Sequence, residues 1–302
     1  MIQYLYLGRV AYDDALRLQA ELVEQRQLGR IGNVLLLLEH PPVLTLGRNA
    51  NRANVLASDE LLAARGVTLH EINRGGDVTY HGPGQLIGYP IFDLRSLRNP
   101  ATGSRLGPVD FVRLMEEALI RVCGEFGVPA GRICKLTGVW CHLQWSSSLD
   151  ESCAVPQSAP ESAQGRKIAA IGIHVARGVT SHGFAFNITT DLRDFLLIHP
   201  CGITDRPVTS LAREVTQPET LPSLEVIAHQ AARQFGAVLE QPVVAVESLH
   251  ALGVLAGKRE TESGDLQHFP ARAPEFPAED TPLKVPAEIE RQQHRSERPV
   301  RA

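Results

Sequence analysis

This sequence of 302 residues lacks long apolar runs, a secretory signal pattern and an excess of positive charge. No aliphatic run exceeds Val34–Leu38, far short of the roughly 20 apolar residues that a membrane-spanning helix needs. Met1–Tyr4 has no basic segment leading into an apolar stretch, so no secretory signal is expected. Basic side chains number 30 against 34 acidic ones, and the formal net charge of −4 gives no positive field that would attract nucleic acid or an anionic membrane.

Cysteine and lysine are also scarce. The five cysteines form no even, closely spaced framework, so we expect free thiols and a cytoplasmic location. A metal site is not expected, because the nearest group of candidate ligands fits neither a C-x-x-C nor an H-x-x-x-H pattern: Cys134, Cys141, His142 and Cys153. Only four lysines accompany 26 arginines, so each is a candidate for a specific role: Lys135, Lys167, Lys258 and Lys284.

The apolar content of 43% is enough for a substantial core, and we expect one domain over residues 1–256. Charge and proline dominate 257–302, which predicts a disordered tail whose deletion leaves activity nearly intact. Serine and proline within 141–165 predict a long surface loop.

Apolar spacing predicts the regular elements. Period-3.6 patterns indicate helices over 11–27 and 109–126, the second ending at Gly127, and Ser223 can cap a later helix. Strands are predicted at Tyr4–Leu7, Val34–Leu38, Lys167–Val175 and Phe184–Ile188. Because the strands cluster apart from a few helices, the pattern predicts the α+β fold class.

The densest polar segment is Arg74–Gln85, with four glycines in twelve residues. Glycine permits positive φ and close approach of the backbone to a ligand, and the segment adds several hydrogen-bond donors. It is neither a P-loop nor a dinucleotide fingerprint, because the required lysine and glycine spacings are missing. A plain strand followed by a Gly-Pro-Gly turn explains the composition equally well.

Three further segments could carry chemistry. Lys167 begins an apolar strand, where it could act as an amine base beside a desolvated pocket or simply extend its ammonium to solvent. Small residues alternate with aromatic ones over Ser181–Asn187, as in the wall of an acyl slot or in any half-buried strand. Cys201 lies between proline and glycine, where it could be a nucleophile if a positive charge lies nearby, or an inert buried thiol.

In this order along the chain, these segments resemble the lipoyl(octanoyl) transferases, that is, the octanoyl-[acyl-carrier-protein]:protein N-octanoyltransferases. The resemblance covers most of 1–245 and is carried by Leu38–Pro42 with Thr45–Arg48, Arg74–Gln85, Thr137–Trp140, Gly165–Gly172, Ser181–Asn187 and Pro200–Ile203. The loop between Trp140 and Gly165 and the tail past 256 are longer than the family pattern, although neither interrupts a motif.

The resemblance implies the α+β fold of the biotin and lipoate protein ligases, a mixed sheet packed with helices that is related to the fold of class II aminoacyl-tRNA synthetases. It implies transfer of an octanoyl or lipoyl group from acyl carrier protein to a lysine of a lipoyl domain, without a cofactor. The expected acceptors are the 2-oxoacid dehydrogenase E2 subunits and the glycine cleavage H protein. Neither nucleic acid nor membrane is an expected partner.

Carried over residue by residue, the resemblance places the acyl-thioester cysteine at Cys201. Lys167 becomes the residue that favours its thiolate. We hypothesise that Lys167 loses a proton once Cys201 is acylated and then acts as base for the incoming amine. The implied substrate-binding residues are Arg74, Gly75, Gly76, Asp77, Val78, Thr79, Tyr80, His81, Ala170, Ile171, Gly172, Gly183, Phe184 and Ala185.

Three other functions remain open from the sequence. An ATP-dependent lipoate or biotin ligase would share the fold and need the lysine but no nucleophilic cysteine. A non-catalytic acyl or lipoyl-domain binding protein would need neither. A thioester hydrolase would pass the acyl group from Cys201 to water.

Overall fold

The computed structural model describes residues 1–141, 165–203 and 206–252. Within these ranges the chain forms five helices, α1 (Tyr12–Gln27), α2 (Asp59–Ala64), α3 (Pro108–Glu125), α4 (Leu211–Glu214) and α5 (Leu224–Val238). The predicted tail, and the predicted loop apart from its two end residues, lie outside the described residues.

The same ranges hold eleven strands. They are β1 (Ile2–Arg9), β2 (Asn33–Glu39), β3 (Val43–Leu46), β4 (Thr68–Glu71), β5 (Val78–His81), β6 (Gln85–Ile91), β7 (Ala130–Ile133), β8 (Leu136–Cys141), β9 (Arg166–Ala176), β10 (Val179–Asn187) and β11 (Val243–Ala245). The patterns for the two long helices, the last helix and the four strands are confirmed. Their ends shift by at most two residues, except that β10 begins five residues before the predicted strand at Phe184–Ile188.

The strands form two sheets. Eight of them follow the order β11-β1-β2-β6-β10-β9-β8-β7, in which β1 pairs in parallel with β2 and β11 and the remaining neighbours are antiparallel. A smaller sheet has the order β4-β3-β5. The mixed sheet with segregated helices confirms the α+β class.

Helices cover both faces of the large sheet. Along β2, Leu35 and Leu37 point into a core with α3 and α5, whereas Leu36 and Leu38 point into a second core with α1. Alternate residues of a strand face opposite sides, so a strand buried on both faces must be apolar throughout. This explains the aliphatic run that the sequence shows there.

Local signals account for the helix ends. Gly127 follows α3 with φ of 70°, and Ser223 caps α5 by accepting a hydrogen bond from the Val226 amide. No helix among the described residues is both long and apolar enough to cross a bilayer.

The cysteines differ in part from expectation. Cys123 and Cys141 are buried free thiols and Cys201 is a half-buried one. Cys134 is disulfide-bonded, so the expectation of free thiols is wrong at that position.

Candidate active site

A cavity opens where β9 and β10 of the large sheet meet the small sheet. Most of the residues predicted to bind substrate line it, together with the predicted nucleophile. The lining consists of Tyr12, Arg74, Gly75, Gly76, Thr79, His81, Tyr89, Ala170, Ile171, Gly172, His182, Gly183, Phe184, Ala185 and Cys201. Segments that are far apart in sequence therefore form one site.

Two paired strand segments form the apolar wall. Ala170–Gly172 of β9 lies opposite Gly183–Ala185 of β10, and Gly172 pairs directly with Gly183. A Cβ at Gly172 would lie 2.7 Å from the Gly75 carbonyl oxygen, so only glycine lets the Arg74–Gly76 loop approach this strand. The small residues keep open a channel beside the strands.

Successive side chains of β5 face opposite sides, so the predicted substrate-binding residues on this strand divide into two pairs. Thr79 and His81 point into the cavity, whereas Val78 and Tyr80 pack into the core beneath the small sheet. The Tyr80 hydroxyl donates a 2.7 Å hydrogen bond to Asp194. These two predicted substrate-binding residues thus lie behind the wall, because successive strand residues face opposite sides.

Asp77 also lies outside the cavity lining and holds neighbouring loops in place. Its carboxylate accepts hydrogen bonds from the amides of Asn51 (3.0 Å) and Val78 (2.7 Å), and from the side-chain amide of Asn54. A Cβ at Gly202 would lie 2.8 Å from the Asp77 Oδ2 atom. Asp77 therefore packs against the turn that carries the predicted nucleophile.

Arg74 brings a buried positive charge to the cavity. Its guanidinium donates to the Thr45 carbonyl (2.7 Å), to the Thr45 hydroxyl (2.9 Å from Nη2) and to the Gly75 carbonyl (3.0 Å). All these acceptors are neutral. Burial lowers the pKa of Arg74, and attraction to the Cys201 thiolate is the largest opposing effect. The buried Arg74 charge and the Cys201 thiol thus line the same cavity.

Cys201 is half-buried at the mouth of the cavity, on a short 3-10 turn. Its φ of 58° and ψ of 24° lie in the left-handed region, which costs a residue with a Cβ about 1 kcal/mol or more. Gly202, with φ of 68°, continues the turn. The chain therefore holds this thiol in a strained conformation at the ligand pocket.

Lys167 lies on β9 but not among the cavity-lining residues. Its Nζ atom is 4.7 Å from the centroid of the Trp140 ring, a cation–π distance. Its backbone is hydrogen-bonded to Pro207 and Thr209, in the segment that follows the Cys201 turn. Backbone hydrogen bonds thus connect β9, which carries Lys167, to the segment that follows Cys201 in the chain.

The Thr137–Trp140 motif supports this arrangement. Gly138 has φ of 121°, and a Cβ there would lie 2.5 Å from the Ala169 carbonyl oxygen. The fully buried Glu116 of α3 accepts a 2.9 Å hydrogen bond from the Gly138 amide. Glycine is needed here so that β8 can bring Trp140 against Lys167.

Sequence analysis assigned no substrate contact to four ring side chains in or behind the cavity wall, although two of them, His40 and His182, lie in segments that carry the family resemblance. Tyr12, Tyr89 and His182 line the cavity, and His40 packs behind them with its Nε2 atom 2.7 Å from the Tyr89 hydroxyl. Burial lowers the pKa of His40 to about 4 and that of His182 to about 3. No spacing signal distinguishes these rings from ordinary core residues.

The described residues contain no group of three or more His, Cys, Asp or Glu side chains that could hold a metal ion. The chemistry available on these residues is that of a thiol, a buried guanidinium, neutral imidazoles and phenols beside an apolar channel.

Comparison with known proteins gives concordant results. The family model for the lipoyl protein ligase A/B catalytic domain matches residues 11–235. An octanoyltransferase of Acidobacterium capsulatum is 57% identical over 248 residues, which span 82% of this chain and 94% of that protein. An octanoyltransferase of Koribacter versatilis is 49% identical over 275 residues, which span 91% of this chain and 95% of that protein.

Solved structures agree on the fold. A bipartite lipoate protein ligase of Thermoplasma acidophilum, solved with its E2 lipoyl domain, superposes with a TM-score of 0.56 at 17% identity and covers 85% of this chain and 91% of its own. A lipoate-protein ligase A bound with ATP superposes with a TM-score of 0.55 at 16% identity, and the match covers 87% of this chain and 97% of that protein. Taken with the sequence relatives, these findings show that the chain belongs to the lipoyl protein ligase A/B family and, within it, to the octanoyltransferases, a group of acyltransferases.

Proposed function

We propose that this octanoyltransferase takes an octanoyl group from the thioester of acyl carrier protein, holds it as a thioester on Cys201, and passes it to a lysine amine on a lipoyl domain. The acceptors would be the 2-oxoacid dehydrogenase E2 subunits and the glycine cleavage H protein. The observation that carries the proposal is Cys201, a half-buried free thiol on a strained turn at an apolar-walled cavity that also holds the Arg74 cation.

The first step of this reaction exchanges one thioester for another. The Cys201 thiolate attacks the donor's carbonyl carbon, and the carrier-protein thiolate leaves with the bonding electrons. A nearby positive charge favours the thiolate form of a cysteine. Among the described residues, the buried Arg74 guanidinium donates to neutral acceptors and to no carboxylate, so its charge is available to the thiolate.

In the second step the neutral acceptor amine attacks the Cys201 thioester. The new carbon–nitrogen bond forms, the carbon–sulfur bond breaks, and the Cys201 thiolate is released. The attacking amine loses one proton, for which we propose Lys167 as the acceptor. Lys167 is neutral at this stage because its ammonium proton has passed to the departing carrier-protein thiolate in the first step. The connection between the Lys167 backbone and the segment 206–209, which follows the Cys201 turn, supports this role.

Exchange of a thioester for an amide is favourable and needs no ATP. The apolar wall of Ala170–Gly172 and Gly183–Ala185 suits the octanoyl chain. Burial stabilises an alkyl chain by about 0.8 kcal/mol for each methylene. Substrate contacts by the predicted residues Asp77, Val78 and Tyr80 would be indirect, through the wall that they support.

Intact-protein mass spectrometry tests the proposal directly. The wild type and Cys201→Ser would each be mixed with octanoyl-acyl carrier protein, without ATP and without acceptor. We expect one octanoyl adduct on the wild type, lost when a lipoyl domain is added and absent as a thioester in the variant. Loss of the adduct to water at the same rate without a lipoyl domain would indicate a hydrolase.

A different result would overturn the proposal. If no adduct forms, and the lipoyl domain is labelled from free octanoate only when ATP is supplied, the enzyme is a ligase and Cys201 is structural. A tight complex with the lipoyl domain that shows no transfer under either condition would indicate a binding protein.

A further inference from the structure

The imidazole of His81 lies in the cavity wall with one nitrogen engaged behind it. Its Nδ1 atom is 2.9 Å from the Gln85 Oε1 atom, and the ring lines the cavity beside Arg74. A neutral imidazole carries its proton on one nitrogen and an acceptor lone pair on the other. The partner of Nδ1 therefore determines what the other nitrogen, Nε2, can do.

The orientation of the Gln85 amide is fixed by its other neighbours. Its nitrogen lies 3.2 Å from the Tyr80 carbonyl oxygen, which can only accept, so this end of the amide must be the donor. The same nitrogen donates to the Asn187 Oδ1 atom at 2.8 Å, and the Asn187 nitrogen donates to the Thr209 carbonyl at 2.9 Å. Two backbone carbonyls thus orient both amides.

The Gln85 oxygen must therefore face His81 as an acceptor. This places the imidazole proton on Nδ1 and leaves Nε2 as a lone-pair acceptor. We infer that Gln85 and Asn187 are positioning residues that hold His81 in this tautomer, so that its Nε2 atom binds an N–H of the incoming lysine amine. The inference rests on the proposed function, because it assigns the site of the amine in the second step.

The surroundings of His81 keep the imidazole neutral. The groups facing it are the Arg74 cation, the His40 and His182 rings and the Tyr12 phenol. Burial, followed by the electrostatic effect of His40, lowers the pKa of His81 to about 3. His81 accordingly accepts a hydrogen bond without taking the proton, which remains the role proposed for Lys167.

The same surroundings favour the reactive form of the acceptor. An ammonium group in this cavity would be repelled by the buried Arg74 charge, whereas a neutral amine would not be. Only the neutral amine has a lone pair with which to attack a thioester. A neutral acceptor at His81 and a cation at Arg74 together select the amine over the ammonium.

The tautomer can be measured without any activity assay. In a long-range ¹H–¹⁵N correlation spectrum of the full chain, the His81 signals are identified by their loss in His81→Gln. We expect a protonated Nδ1 and an unprotonated Nε2 at neutral pH. A protonated Nε2 in the wild type would overturn the inference, even if the enzyme transfers octanoate as proposed.

The role of Gln85 in orienting His81 is tested by Gln85→Met, which keeps the side-chain length but removes the hydrogen-bond acceptor for Nδ1 of His81. The matched control is Gln27→Met, which removes a 3.0 Å hydrogen bond to the Ala176 carbonyl away from the cavity. Rates of octanoyl loading on Cys201 and of its discharge by a lipoyl domain are measured separately. We expect the discharge rate in Gln85→Met to fall about tenfold more than the loading rate, because a tenfold change in rate corresponds to the free energy of about one hydrogen bond.

The results separate the two proposals. Equal loss of the loading and discharge rates in Gln85→Met would contradict the positioning role of Gln85. A tenfold loss of the discharge rate in the control Gln27→Met would contradict it as well. Absence of a loaded wild-type enzyme would instead contradict the proposed function. If Gln85→Met does not fold, the wild-type spectrum still decides the tautomer.

Discussion

The guanidinium of Arg74 is joined to Thr45 by three hydrogen bonds, from Nη2 to the carbonyl (2.7 Å) and the hydroxyl (2.9 Å) and from Nε to the hydroxyl (3.2 Å). A threonine of β3 thereby fixes the direction of Arg74, which among the described residues is the one arginine or lysine that lines the cavity. Arginine can fill this role because its donors form a rigid planar fork, whereas lysine carries a mobile point charge.

Arg74→Lys should therefore retain the charge but lose its position. We expect the rate of octanoyl loading on Cys201 to fall about tenfold, because loss of a well-aligned charged hydrogen bond costs about 1.5 kcal/mol or more. The measurement is the time course of the adduct by intact-protein mass. Arg98→Lys, at an exposed position, is the control and should load at the wild-type rate. Wild-type loading by Arg74→Lys would show that the fork geometry is unimportant.

Two glycines of the cavity wall should differ in their tolerance of a methyl group. A Cβ at Gly172 would lie 2.7 Å from the Gly75 carbonyl, whereas a Cβ at Gly75 would lie 3.4 Å from the Ile173 carbonyl. Gly172→Ala must therefore displace the Arg74–Gly76 loop, and we expect a loss of about 1–3 kcal/mol of stability with reduced loading. Gly75→Ala should be within about 1 kcal/mol of the wild type. Urea unfolding of both variants checks this order, and a reversed order would contradict it.

Trp140 should matter to catalysis through Lys167. Trp140→Phe and Trp140→Leu both leave a gap in a fully buried site, so each should lose stability. Only phenylalanine keeps an aromatic face against which the Lys167 side chain can pack. We expect discharge of the octanoyl adduct to be slower in Trp140→Leu than in Trp140→Phe when both are assayed well below their melting temperatures. Identical discharge rates would show that the ring does not position the lysine.

Three buried histidines should make the protein less stable in mild acid. The pKa is lowered to about 4 at His40 and to about 3 at His81 and His182, chiefly by burial. Below the usual pKa of about 6.5 the unfolded chain binds protons that the folded chain does not, so stability falls with pH from there towards about 4. Each histidine contributes up to about 1.4 kcal/mol per pH unit.

The free energy of unfolding should be measured in urea between about pH 7.5 and pH 5.0. Carboxylates with lowered pKa, such as Asp93 and Glu117, lose their contribution only below their ordinary pKa values of 3.8 and 4.5, outside this interval. His40→Gln should reduce the slope by about one third. A stability that does not change across the interval would contradict the burial of neutral imidazoles.

Much of the site could be predicted from local sequence. Glycine-rich segments and a cysteine between proline and glycine mark unusual backbone, and Cys201 and Gly202 do adopt left-handed φ values. Apolar periodicity predicted the two long helices and four strands, because burial on one or both faces imposes a spacing on the chain. Family resemblance then supplied the acyltransferase activity, which periodicity and composition could not.

Other features depended on the tertiary structure. The motif Arg74–Gln85 gave no means of telling Thr79 and His81 from Val78 and Tyr80, because the side that faces the cavity depends on the partner sheet. Tyr12 enters the cavity from α1, on which nothing in the sequence distinguishes it from a core residue.

By itself, the sequence determined where the chain is helical, extended or tightly turned, and which chemical groups it offers, because these follow from residues within a few positions of one another. Only the tertiary structure decided that the described residues surround the buried Arg74 guanidinium with neutral acceptors, that Lys167 packs on Trp140, and that Gln85 and Asn187 orient His81. Burial and hydrogen-bond direction depend on contacts between segments that are distant in sequence, so they are determined only when the two sheets pack together around the cavity.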